Sequence, residues 1–242
     1  LSDIASVHPY ASRDNYYDAN ERLTDESWDI LRGKGIDPFQ VVVDHIHEVG
    51  LEVHASITMG GFNYNPPHDK IDIGRSFFKN HPELHGVSKE GKRSARLSYA
   101  YPRTREFVIS ILREIAAYSV DGIALLYNRK FPYVEYEPPL IQGFIKEFGD
   151  DPRDIDKEDT RWLKYRSRIL TQFMREVRQE MDDVAQETGR DSRIGISAVV
   201  GNGQEENILF GMDVDAWVQE TLVDPIISYT PAPRMYFTDT LR

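Results

Sequence analysis

The sequence predicts an α/β fold of the (β/α)8, TIM-barrel type, and three observations carry that prediction. Stretches with helical spacing of apolar residues alternate with short strand-like runs along the chain. At least one run, Val120 to Leu126 behind an Asp-Gly turn, is apolar enough for an inner parallel strand. Neither Gly60-Gly61 nor the G-N-G at 201–203 has the third glycine and following helix of a phosphate loop, which disfavours a nucleotide-binding open sheet. A chain of 242 residues with 40% hydrophobic content suits one large core, so residues 1–242 read as a single barrel domain.

The elements follow in order. A strand near Ile4 to His8 is a possible first stave. Asp37 before Pro38 is an N-cap with proline at the first helical position, and Phe39, Val42, Val43, Ile46 and Val49 form a helical stripe that Gly50 ends. Leu51, Val53, Ala55 and Ile57 then alternate with polar residues, which predicts a strand opening at Met59-Gly60-Gly61. Residues Phe62 to Ser98 show no sustained period and read as a long functional loop, with one helical turn near Ser76 to Lys79. Arg103 to Tyr118 predicts a helix with Phe107, Val108, Ile111, Leu112 and Ile115 on its inner face, feeding the strand at Val120.

Downstream, Phe131 to Pro139 is an aromatic and acidic loop, followed by a short helix from Leu140 to Phe148. Thr160 to Glu187 predicts the longest helix, its inner stripe running from Leu163 to Val184 and its charged face reading as solvated surface. Ile194 to Val200 reads as an inner strand, Asp215 to Leu222 as a helix capped by Asp215, and Pro225 to Tyr229 as a last strand.

Charge and composition narrow the partners. Forty acidic against 29 basic residues leave a net charge of -11, which repels phosphate backbones and anionic lipid, so neither nucleic acid nor a membrane surface is expected. No apolar run reaches the roughly 20 residues that span a bilayer. The absence of cysteine excludes disulfides, thiolate metal sites and a cysteine nucleophile. His68, His81 and His85 share the long loop at spacings that match no metal-ligand signature, and no cofactor is expected. Oligomeric state is not legible in the sequence.

One ordered set of motifs carries a family resemblance: G-L-E-V-H-A at 50–55, N-H-P-E-L at 80–84, K-E-G-K at 89–92, P-R-T-R-E-F at 102–107, V-D-G-I-A-L at 120–125, I-G-I-S at 194–197 and D-P-I-I-S-Y at 224–229. Together they resemble the glycosyl-hydrolase-like family-10 group of (β/α)8 barrel proteins. The resemblance implies a carbohydrate substrate, and it implies that this chain is a partial barrel cut from a longer one. The substrate class favours a periplasmic or extracellular setting. Similar proteins carry Asp-Gly-Ile-His-Leu-Asp-Asp-Tyr at the central strand; here Ala124 replaces the histidine, Leu126 the first aspartate and Tyr127 the second.

Candidate site residues follow from position and chemistry. Residues after the C-terminal end of a barrel strand face the ligand, which selects Tyr127, Asn128 and Arg129 for stacking on a sugar, bonding paired hydroxyls and holding a carboxylate or sulfate. His54 has the inward parity of its strand and is expected near that strand's C-terminal end, as a donor to a sugar hydroxyl. Asn63 in the long loop and Tyr229 ending the last strand complete the substrate-binding set. Glycoside hydrolysis needs two carboxyl groups. With the strand aspartate missing, Glu135 or Glu137 of the loop and Glu205 or Glu206 after the next strand are the available carboxylates, of which Glu135 is the expected acid and Glu206 its partner. A degenerate barrel that binds saccharide without cleaving it is the alternative, and a polysaccharide lyase using Arg129 with His54 or a tyrosine is a third reading. Loop aromatics, Phe62, Tyr64, Tyr99, Tyr101, Phe131, Tyr133 and Tyr136, suit a carbohydrate cleft.

Overall fold

A computed structural model describes residues 27, 29–60, 76–128 and 131–229. The strand expected near Ile4 to His8, together with Asn63, Arg129, Phe62, Tyr64 and His68, lies outside the described residues. Four parallel strands form the main sheet in the order β1 (His54–Thr58), β4 (Gly122–Leu126), β5 (Gly195–Val200), β6 (Ile226–Ser228). Helices separate them in sequence: α1 (Pro38–Glu48), α3 (Pro102–Ala116), α4 (Pro138–Phe148), α5 (Thr160–Glu187), α6 (Gln204–Leu209) and α7 (Val214–Gln219). The sheet does not close on itself among the described residues, so the architecture is a partial (β/α) barrel.

Strand parity assigns the two faces. Ile123, Leu125 and Tyr127 of β4 and its end, with Ile196, Ala198 and Val200 of β5, point outward into the main core, where they meet Leu170, Phe173, Met174, Val177 and Met181 of α5. Their neighbours point inward and stack in layers set by register. His54, Gly122 and Gly195 share the lowest layer; Ser56, Ala124 and Ser197 the next; Thr58, Leu126, Val199 and Ile227 the third. Extending the register by two residues brings Gly60, Asn128, Gly201 and Tyr229 to the top layer. At about 3.3 Å per residue, six residues separate the lowest layer from the top by roughly 20 Å.

Two aspartates fasten the strands at their N-terminal ends. Asp121, just before β4, accepts from the Val53 N–H at 2.7 Å and bonds His47 Nε2 at 2.8 Å. Asp224, just before β6, likewise accepts from the Ile196 N–H at 2.7 Å. Each side chain pins the start of the neighbouring strand, satisfying a donor that the ladder leaves free.

Helix ends follow the sequence chemistry. Asp37 caps α1 by accepting from the N–H groups of Phe39 and Gln40, and Asp159 caps α5 by accepting from Arg161. The cap of α7 is Asp213, which accepts from Ala216 N–H, and not Asp215, which sits one residue inside. At 28 residues α5 is about 42 Å long. Its charged face is not all solvated as expected: Arg166 and Arg178 are buried, because both reach backbone carbonyls of other elements.

The long segment before α3 contains structure that periodicity missed. After α2 (Ser76–Asn80) and a 3-10 turn at Pro82–Leu84, the antiparallel hairpin β2 (His85–Val87) and β3 (Arg93–Leu97) turns at Gly91, whose φ is +80°. The strands hold three and five residues, with a register irregularity between His85 and Val87, too short and irregular for a period of two to show. A helix, α6, also follows the G-N-G at 201–203, contrary to expectation, though the third glycine is still absent.

Candidate active site at the C-terminal rim of the sheet

The top inner layer ends at a small recess of about 10 Å³, room for a single water, lined by Asn128, Phe131, Gly201, Glu206, Asn207, Phe210, Met212 and Tyr229. Three elements supply its polar groups. Asn128 follows β4 directly, and its buried Oδ1 has no hydrogen-bond partner among the described residues. Tyr229 follows β6, held by its N–H donating to Val200 O at 2.8 Å, with its ring 40% exposed. Glu206 stands on α6, and its Oε2 accepts from the Asn202 N–H at 3.3 Å.

The backbone after β5 is clamped by a neighbour. Asn207 Oδ1 accepts from Gly201 N–H at 2.8 Å while its Nδ2 donates to Gly201 O at 3.2 Å. Gly201 lets these side chains approach, since a Cβ would lie 2.9 Å from both Asn207 Oδ1 and Glu206 Oε2 and would make them shift. Phe131 and Phe210 stack at 4.2 Å and form the apolar wall beside Asn128.

Glu135 lies in the loop after β4, in a cluster of buried charge facing the β2–β3 hairpin. Burial raises its carboxyl above the ordinary range, against the pull of Arg96 and Arg166. Glu137, fully buried at the N-terminus of α4, is pushed up to about 7 by the same cause, although the Ser98 hydroxyl and the Glu135 N–H bond it. Gly86 of the hairpin leaves room for the pair: a Cβ there would meet Ser94 Oγ at 2.7 Å, Glu135 Oε2 at 3.3 Å and Glu137 Oε1 at 3.5 Å. Glu137, the alternative to Glu135 among the loop carboxylates, is the more deeply buried of the two and stands directly before the Pro138-Pro139 start of α4.

Several expected positions differ. Tyr127 is fully buried, its hydroxyl donating to Met174 Sδ at 3.2 Å and its ring against Tyr133 and Trp217, because its parity turns it outward beneath the helices. It does not line the rim. His54 does face inward, but it is the first residue of β1, not the last, so it sits roughly 20 Å below Asn128. There its Nδ1 shares a 2.7 Å hydrogen bond with Ser197 Oγ, and its ring covers Gly122 and Gly195. That position removes His54 as a sugar ligand at the rim and as the base of a lyase. Tyr99, Tyr133 and Tyr136 are core residues, packed edge-to-face or tilted on Phe173, Tyr127 and Trp162, and are not platforms for sugar. His85 donates to Phe78 O at 2.9 Å and stacks on that ring, and His81 bonds Glu83.

These features define a class first: a (β/α)-barrel protein, its barrel open, with its polar candidates gathered where barrel strands end. The chain belongs to the glycosyl hydrolase-like 10 family, whose model matches residues 12–239. Its fold is similar to the solved glycoside hydrolase domain of PgaB (BpsB) from Bordetella bronchiseptica, with a TM-score of 0.51 and 16% identity over 75% of this chain. The match covers 51% of that structure, so the chain spans about half of its length. No curated protein matches the chain.

Proposed function

We propose that this protein cleaves a poly- or oligosaccharide at the C-terminal rim, as a glycoside hydrolase in which Glu206 and Glu135 divide the carboxylate roles. The observation that carries the reading is the convergence of Asn128 and Tyr229, from two strand ends, and Glu206, from the first turn of α6, on one recess. Asn128 offers a buried acceptor that has no partner among the described residues, Tyr229 a partly exposed ring for a pyranose face, and Glu206 an anionic oxygen. Glu135, held toward its protonated form by burial, suits the acid that protonates a leaving oxygen. A panel of polysaccharides assayed for released reducing ends tests it. Glu135→Gln and Glu206→Gln are each expected to lower kcat by about a hundredfold or more, and full activity in either variant would remove that residue from the mechanism.

A second reading is binding without cleavage, favoured by one specific feature. Leu126 stands on the inner face one layer beneath Asn128, where the family resemblance leads one to expect an inward carboxylate, and no inner-face position of the described strands is acidic. Saccharide that binds the native chain and is returned uncut would decide for it.

A further inference from the structure

We propose that Arg166 is the positioning residue of the rim: a single buried guanidinium braces the loop that carries Glu135 to the short helix that carries Glu206 and so fixes how those carboxylates stand to each other. The proposal rests on the rim being the place where saccharide is processed. Arg166 Nη1 donates to Val134 O at 3.1 Å, one residue before Glu135, and Nη2 donates to Leu209 O at 3.0 Å, three residues after Glu206. The first acceptor belongs to the loop after β4 and the second to the last turn of α6, two segments with no sequence connection. Both acceptors are held from one planar fork, whose geometry is rigid, so a shift of either segment must break a bond or drag the other segment with it.

The surroundings are built for this group. Arg166 is 7% exposed, packed over the Trp162 ring at 5.7 Å, and rooted in the second turn of the longest helix. Glu135, Glu137 and Tyr136 of the β4 loop face it, and Arg96 of the hairpin faces Glu135 from the other side. A buried arginine is costly to desolvate, and an apolar residue of similar volume would pack against Trp162 without that cost. Its presence is explained by the two carbonyls it must span. Lysine carries the charge but has a single nitrogen and lacks the fork.

Amide hydrogen exchange on the native chain, Arg166→Lys and Arg166→Met tests the brace without any substrate. Residues 131–137 and 204–210 are expected to exchange together about tenfold faster or more in both variants, with β4 and β5 protected as in the native chain. Acceleration in only one segment, in neither, or equally throughout α5 and the sheet would overturn the proposal in favour of an ordinary packing role. Where the native chain cleaves a saccharide, both variants are expected to lose kcat with KM nearly unchanged, and a loss confined to KM also counts against the brace. Because exchange is read on the free protein, failure of the hydrolase reading is told apart from failure of the brace.

Discussion

At the scale of single residues, the lowest inner layer is governed by one imidazole. A Cβ on Gly122 would lie 2.5 to 2.7 Å from three ring atoms of His54, so an added methyl must drive the ring off Ser197. Gly122→Ala is expected to destabilise by about 1–3 kcal/mol, the range for overpacking. His54→Ala in the same chain is expected to recover most of that loss, and urea midpoints of both single variants and the double variant check it. Glu137 gives a second expectation, on pH. Unfolded, it ionises near its ordinary 4.5; folded, burial holds its proton up to about 7. Below the first value both states are protonated and the group has no effect. Between the two only the unfolded state releases the proton, so stability falls as pH rises, by on the order of 3 kcal/mol in all. Glu137→Gln is expected to flatten this fall, so the stability gap between variant and native chain widens from pH 4.5 to pH 7; a gap that does not change with pH refutes it. The parity of His54 was legible in its strand, but not its height, since the pattern from Leu51 to Ile57 does not reveal that pairing begins only at residue 54. Tyr127 was misplaced for a related reason: adjacency to the strand end was read as exposure, whereas odd-numbered residues of this strand face the helices.

At the scale of elements, α6 and the turn before it act as one unit through Asn207. Removing that amide in Asn207→Ala leaves the Gly201 N–H and carbonyl without their side-chain partner, at an expected cost of about 1–3 kcal/mol. The same change is expected to loosen Glu206, and titration calorimetry with a bound saccharide should show weaker affinity beside the lower urea midpoint. The long helices were legible nearly to the residue: Thr160 to Glu187 is both expected and found, because its stripe repeats over many turns and an aspartate caps it. Two short elements were not. The hairpin at 85–97 and α6 each hold too few residues for a period, and their stability comes from partners distant in sequence, such as Val87 O accepting from Tyr136 N–H. Buried Arg166 was hidden among the charged residues of an otherwise solvated helix face, and only its acceptors in other elements distinguish it.

At the scale of the molecule, the parallel order β1-β4-β5-β6 brings the ends of distant segments to one rim, which is why Asn128, Glu206 and Tyr229 meet although 101 residues separate the first from the last. Alternating strand and helix patterns made this fold class readable, since each buried strand needs helices on its outer face. The chain's net charge of -11 acts over the whole surface. Saccharides bearing sulfate or uronate groups are therefore expected to bind more weakly than neutral ones of equal length at low ionic strength. The difference is expected to shrink as salt screens the field, and affinity measured across a salt series decides it. An advantage for the anionic saccharide would instead point to a local cation prevailing over the global field.

The amide of Asn207 meets both backbone polar groups of Gly201, much as another strand would meet them. In effect the hydrogen-bonded lattice continues one step past the last strand residue and terminates in a helix. A carboxylate mounted next to that junction, as Glu206 is, stands on scaffold in place of flexible connection. Substrate would then meet a preset group that needs little ordering on arrival, which is the condition under which one oxygen can be aimed at one bond.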